Sequence, residues 1–140
     1  MAACPFCRIA RGDAAARVVW TSPDAVAFLP LHPATRGHTL VVPRRHVPDL
    51  WSIDARLGAR LMAVVIKLGQ AIDKALRPEG MNLISSAGAA ASQTVFHLHL
   101  HLVPRWRDDR IGEIWPPSDP RSEAELDEVA ELIRAAAATS

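Results

Sequence analysis

The 140-residue sequence predicts an α+β domain with about five strands, mostly antiparallel, and two helices. Three observations predict it. Residues 95–103, VFHLHLHLV, alternate apolar and histidine side chains with the period of a strand. Residues 54–77 place Leu57, Leu61, Val64, Val65, Leu68, Ile72 and Leu76 at helical spacing over a length no strand reaches. Proline and glycine punctuate the short apolar runs between them.

Each element follows in order. Residues 1–13, MAACPFCRIARGD, carry the cysteines and a short helical turn. The runs 17–21 (RVVWT) and 25–31 (AVAFLPL) read as a hairpin around Ser22, Pro23 and Asp24. Residues 32–37 are a loop, and 38–43 (HTLVVP) a buried strand ended by Pro43. Asp54 or Ser52 caps the start of the long helix, and Pro78 to Gly80 end it. MNLISSA (81–87) reads as a strand, GAAASQ (88–93) as a small-residue loop, and 95–103 as the histidine strand. After Pro104 come a polar segment, a proline-rich link and a second amphipathic helix over 122–138. The sequence shows no internal repeat, so residues 1–140 read as a single domain.

Composition narrows the function. The formal net charge is +1, which gives no electrostatic case for nucleic acid or a membrane surface as partner. There is no 18-residue apolar stretch and no apolar signal-peptide segment, so the expected address is cytoplasmic. In a reducing compartment Cys4-Pro5-Phe6-Cys7 suggests a metal half-site or a redox pair rather than a structural disulfide.

The histidines carry the strongest signal. On a strand, Phe96, Leu98, Leu100 and Leu102 share one face, and His97, His99 and His101 share the other. A helix would scatter the three imidazoles by about 200° from one to the next. A row of imidazoles is a surface for proton transfer, nucleophilic attack or metal binding. All three on a single metal is disfavoured, because they would spread over about 13 Å of strand.

The sequence His97-Leu98-His99-Leu100-His101-Leu102-Val103 resembles the signature of the histidine triad (HIT) superfamily of nucleotide hydrolases and transferases. The likeness continues in Gln93-Thr94-Val95, in Phe28-Leu29 with Pro33, in the run Arg36 to His46, and in Val103 to Trp106. It covers most of residues 4–106, leaving 107–140 as a C-terminal segment. The resemblance implies a HIT-like fold: a five-stranded, mainly antiparallel sheet with one long central helix and a C-terminal helix. It implies a homodimer, with the long helix and one strand at the interface. It also implies that His99 attacks the α-phosphorus of a nucleotide to form a nucleotidyl-imidazole. His101 and His38 would contact phosphate oxygens or pass a proton to the leaving group. Gln93 and Thr94 would donate hydrogen bonds around the phosphate. Phe28 and Leu29, with Phe6 and Ile9, are candidates for an apolar slot that holds the base. Trp106, with Arg105 and Arg107, is a candidate for closing the site, contacting a polyphosphate or forming dimer surface.

A branch of this superfamily pairs an N-terminal C-x-x-C with two histidines. Those positions fall here on His46 and His97, so the resemblance implies a structural zinc held by Cys4, Cys7, His46 and His97. The sequence departs from the family pattern twice. Pro30 stands where many members have an acidic residue that holds ribose hydroxyls, leaving sugar recognition to Asp24, to His32, or to nothing. Ser86 stands where an asparagine is common, as a shorter substrate-binding side chain. The implied enzyme releases a nucleoside monophosphate from a phosphoramidate, an adenylate or a dinucleoside polyphosphate, with water or phosphate as acceptor. A nucleotide-binding or scaffold protein with little turnover, and a zinc-stabilised interaction module, are the alternatives.

Overall fold

Strand β1 (Arg17–Thr21) and strand β2 (Ala25–Leu29) form an antiparallel hairpin, closed by a bond from the Ala25 backbone N–H to Ser22 Oγ at 3.1 Å. In this computed structural model, which describes residues 4–139, β2 stops at Leu29, two residues short of the predicted end. Leu31 lies exposed beyond it. Strand β3 (Thr39–Pro43) pairs with β2, and strands β4 (Gly80–Ile84) and β5 (Leu100–Arg105) complete a five-stranded sheet. The order is β1-β2-β3-β5-β4, and every pairing is antiparallel. Met1 to Ala3, at the start of the predicted helical turn, and Ser140 lie outside the described residues.

Among the described residues the chain also forms three α-helices. Helix α1 (Pro5–Arg11) begins on a proline, whose fixed φ suits the first helical position, and ends at Gly12 with φ +82°. Helix α2 (Ala55–Leu76) is the predicted long helix. Asp54 rather than Ser52 caps it, by accepting the Leu57 backbone N–H. Helix α3 (Glu123–Ala138) is capped by Ser122. No helix among the described residues is long and apolar enough to cross a membrane.

The two faces of the sheet bury different clusters. Leu57, Leu61, Val65 and Leu68 are the buried side chains of α2, the face predicted from their spacing. Leu61, Val65 and Leu68 pack with Ala25, Ala27, Val41, Leu98 and Leu102. On the opposite face Phe6 and Ala10 of α1 pack with Val26, Phe28, Leu40 and Val42. The alternation of β2 and β3 therefore serves two cores, which explains why both strands read as continuous apolar runs.

The histidine run departs from expectation. Only residues from Leu100 onward join the ladder, so His97 and His99 lie in the extended segment that leads into β5. Phe96, expected on the core face, is 51% exposed, whereas Leu98 and Leu102 are buried against α2. The segment is anchored by its neighbour instead: the Leu98 N–H donates to the Val47 carbonyl at 2.7 Å. His101 is within the ladder, opposite Leu40, and so shares the α1 side of the sheet. Gly37, with φ +85°, precedes His38. A Cβ there would collide with the Leu76 side chain, so the turn that aims His38 requires glycine.

Candidate active site and metal centre

Two imidazole systems stand side by side. In the first, the Ala34 N–H donates to Nδ1 of His38 at 3.0 Å, and Nε2 of His38 lies 2.8 Å from Nδ1 of His101. A backbone N–H can only donate, so neutral His38 carries its proton on Nε2 and passes a hydrogen bond to His101. His101 Nδ1 is then the acceptor, and its proton sits on Nε2. Burial pushes His38 below the ordinary imidazole value. Burial first, then the neighbouring His99 and His38, push His101 down to about 4. Both rings are thus neutral near pH 7, as the hydrogen-bond chain requires.

His99 is buried between these rings and α1. Its Nδ1 lies 2.7 Å from the carbonyl oxygen of His97, which places the proton on Nδ1 and leaves the Nε2 lone pair for chemistry. Its ring meets Phe6 edge-to-face at 5.1 Å and His101 at 4.9 Å. Ser85 Oγ donates to the His99 carbonyl at 3.2 Å. Ser86, the predicted position, is half-buried, and its neighbour Ser85 makes this bond instead. Nothing in local pattern marks a hydroxyl that will meet a backbone carbonyl fourteen residues away.

The second system gathers Cys4, Cys7, His46 and His97, whose ligand atoms all lie within 4.8 Å of one another. These residues could hold a metal ion, and the fit is close. His97 Nε2 lies 2.8 Å from the Pro43 carbonyl, so its proton sits there and its Nδ1 lone pair faces the cluster. That Nδ1 is 3.1 Å from His46 Nδ1 and 3.4 Å from the sulfurs of Cys4 and Cys7. A tetrahedral zinc with ordinary bond lengths would set these separations at about 3.3 Å and 3.5 Å. The four donors converge without a carboxylate, and α1 brings Cys4 and Cys7 to one side because they stand three residues apart at its start. His97 is wholly buried, and His46 is the exposed edge of the cluster.

The remaining predicted residues fall into place unevenly. Phe6, Ile9, Phe28 and Leu29 line one groove of about 840 Å³, together with Pro30, His32, Thr94 and Arg17. Thr94 is exposed there. Gln93 is buried, and its carboxamide is fully engaged with backbone. Oε1 accepts the Gly88 N–H at 2.8 Å, and Nε2 donates to the carbonyls of Pro48 at 2.6 Å and Val95 at 3.1 Å. Asp24 does not reach the groove. It sits at the opposite end of β2, paired with Arg60 at 3.1 Å, which leaves His32 as the polar neighbour of Pro30. Arg44 is exposed but not free. It ties the hairpin to α1 through the carbonyls of Ser22 and Ala10. Arg45 pairs with Asp54. Arg105 pairs with Asp109 at 2.7 Å and Arg107 with Glu79 at 3.4 Å.

Comparison with known proteins identifies a family. The HIT domain family model matches residues 11–108. Protein hit of Bacillus subtilis is 34% identical over 113 residues, covering 80% of this chain and 78% of that protein. Adenylylsulfatase HINT3 of Arabidopsis thaliana is 33% identical over 106 residues, 76% of this chain but 54% of that protein. Among solved structures, SMU.412c of Streptococcus mutans superposes with a TM-score of 0.89 at 37% identity, covering 96% of this chain and 85% of that one. A zinc-bound histidine triad family protein of Mycobacterium smegmatis gives a TM-score of 0.73 at 36% identity, covering 90% and 96%.

Proposed function

The chain belongs to the HIT-domain family of nucleotide-binding and nucleotide-hydrolysing proteins, and we propose that it hydrolyses or transfers a nucleoside 5′-phosphate at the α-phosphorus through His99. The observation that carries this reading is the bond from His99 Nδ1 to the His97 carbonyl, which makes Nε2 the ring atom that can attack.

In the proposed reaction the Nε2 lone pair of His99 forms a bond to the α-phosphorus while the bond to the leaving group breaks. The electron pair departs with the leaving group, which accepts a hydrogen bond from His101 Nε2 and takes its proton from solvent. Water then attacks the phosphorus and gives one proton to solvent, the P–N bond breaks, and the nucleoside monophosphate leaves as the imidazole returns to neutral. His38 holds His101 in the donor tautomer. The groove beside Phe6, Phe28 and Leu29 takes the base, and Thr94 and Ser86 line the path of the phosphate. The leaving group is an amine, an acid anhydride partner or a nucleotide. The relative named as an adenylylsulfatase supports the mixed-anhydride class. With phosphate in place of water the same steps give a phosphorylase.

Zinc in the Cys4, Cys7, His46 and His97 cluster, as in the Hint-like branch, would supply a structural clamp between α1 and the segment carrying His99. The zinc-bound relative supports that assignment. The protein would work as a cytoplasmic homodimer. Met62 and Ile66 on α2 and Leu83 on the edge strand β4 are exposed and offer the surface.

A low-turnover nucleotide binder is the second reading. It is favoured by the Gln93 carboxamide, which is spent on backbone, and by a groove whose described lining has no carboxylate for sugar hydroxyls. The test is AMP release from adenosine 5′-phosphoramidate by wild type and His99→Ala at equal metal content. Release by wild type alone supports the mechanism. Equal release by both overturns it, and nucleotide binding with no release by either selects the second reading.

A further inference from the structure

Helix α3 contributes no residue to either core. It has no buried residue, and Leu126, Val129, Leu132 and Ile133 are 46–64% exposed. Leu126, Val129 and Ile133 stand at helical spacing and form one stripe. An isolated sixteen-residue helix is marginal in water, and helices of this length are held mostly by packing of such a stripe. Just ahead of it Trp115 is 83% exposed. The superposition on SMU.412c covers 96% of this chain, more than the fold without α3 would allow, so it extends into α3.

The charge of α3 identifies what it fits. It carries five carboxylates against the single Arg134, and Glu123, Asp127 and Glu131 follow one another at intervals of four along the side of the stripe. Helix α2 is the complement. It carries Arg56, Arg60, Lys67 and Lys74 against the single Asp73. The four cations lie at spacings of four and seven, along one flank of an outer face that exposes Met62 and Ile66; of them Arg60 also pairs with Asp24, and Lys67 lies over the Trp20 ring. An acidic helix with an apolar stripe thus matches a basic helix with an apolar outer face, and the exposed side chains of both are outside the two cores.

We propose that α3 of one copy lies along α2 of a second copy, clasping the dimer by its apolar stripe and by its carboxylates against the partner's cationic row. This rests on the homodimer reading and adds to it the element that holds the pair. A symmetric dimer would form the contact twice. Opposite charge facing across it would set the register and raise the association rate.

The test uses two full-length variants and sedimentation equilibrium, with circular dichroism as the check of folding. One variant is Glu123→Lys/Asp127→Lys/Glu131→Lys. The other is Arg56→Glu/Lys67→Glu/Lys74→Glu. Each alone is expected to dissociate with a Kd at least about tenfold above wild type. Mixed in equal amounts, they are expected to form a heterodimer as tight as wild type, because both contacts in that pair are again of opposite sign. A contact within one chain gives no rescue on mixing. Dimeric wild type without that rescue, or variants as tight as wild type, overturns the clasp and leaves the dimer standing. Monomeric wild type at about 100 μM overturns both.

Discussion

Nδ1 of His99 lies 2.7 Å from the carbonyl oxygen of His97, whose own Nδ1 points the other way into the Cys4, Cys7 and His46 cluster. One residue therefore serves both systems, with its side chain in the cluster and its backbone setting the tautomer of the next histidine. Four donor atoms packed this closely repel when nothing lies between them, so metal removal is expected to loosen the segment that carries His99. Chelation should lower unfolding stability by on the order of 3–5 kcal/mol, as measured by urea titration with metal content checked. His99→Ala should leave metal content as in wild type and cost less stability than chelation. Unchanged stability of the metal-free protein would show that the cluster does not support the fold.

His38 acts on the reaction through His101. Replacing it with leucine removes the donor to His101 Nδ1 and lets the proton move to that atom, away from the leaving group. We expect kcat to fall about tenfold or more for His38→Leu and by about 10²–10⁴ for His101→Ala. His38→Gln, which keeps an N–H donor, is expected to retain more activity than His38→Leu. Equal losses in the glutamine and leucine variants would show that His38 matters by shape alone.

Acid should destabilise the fold through His101. Its folded value of about 4 is below the unfolded value of 6.5, so between these pH values the unfolded chain binds more protons than the native one. The neutral, folded ring therefore contributes fully above pH 6.5, and that contribution is lost as pH falls towards 4. Denaturant midpoints measured from pH 4 to pH 7 should rise with pH more steeply in wild type than in His101→Gln. Parallel profiles would mean that His101 is not held neutral.

Gln93 should behave as a structural pin of the loop before the triad. Gln93→Ala leaves the Gly88 N–H and the Pro48 and Val95 carbonyls without their side-chain partner. The expected loss is about 2–4 kcal/mol of stability, with faster amide exchange in residues 86–94. A variant as stable as wild type but with a raised KM would instead assign the carboxamide to substrate.

The sequence by itself determined the sheet-forming runs, the limits of α2, the triad and the C-x-x-C. These are local properties, fixed by side-chain period, caps and turn residues within a few positions of one another. Leu57, Leu61, Val65 and Leu68 announce their burial by spacing alone. The family likeness supplied the long-range partners, and it named His46 and His97 as the two that complete the cysteine pair. What only the tertiary structure decided is which atom of each histidine is free. The acceptors that set the tautomers of His97 and His99 are backbone carbonyls of Pro43 and His97, and the donor to His38 is the Ala34 N–H. Backbone groups are the same at every residue, so no pattern of side chains can point to them. The same reason hid the engagement of Gln93, the place of Asp24 at the far end of β2, and the exposure of Phe96. Each depends on where a distant segment passes, and that is set by packing of the whole sheet against α1 and α2.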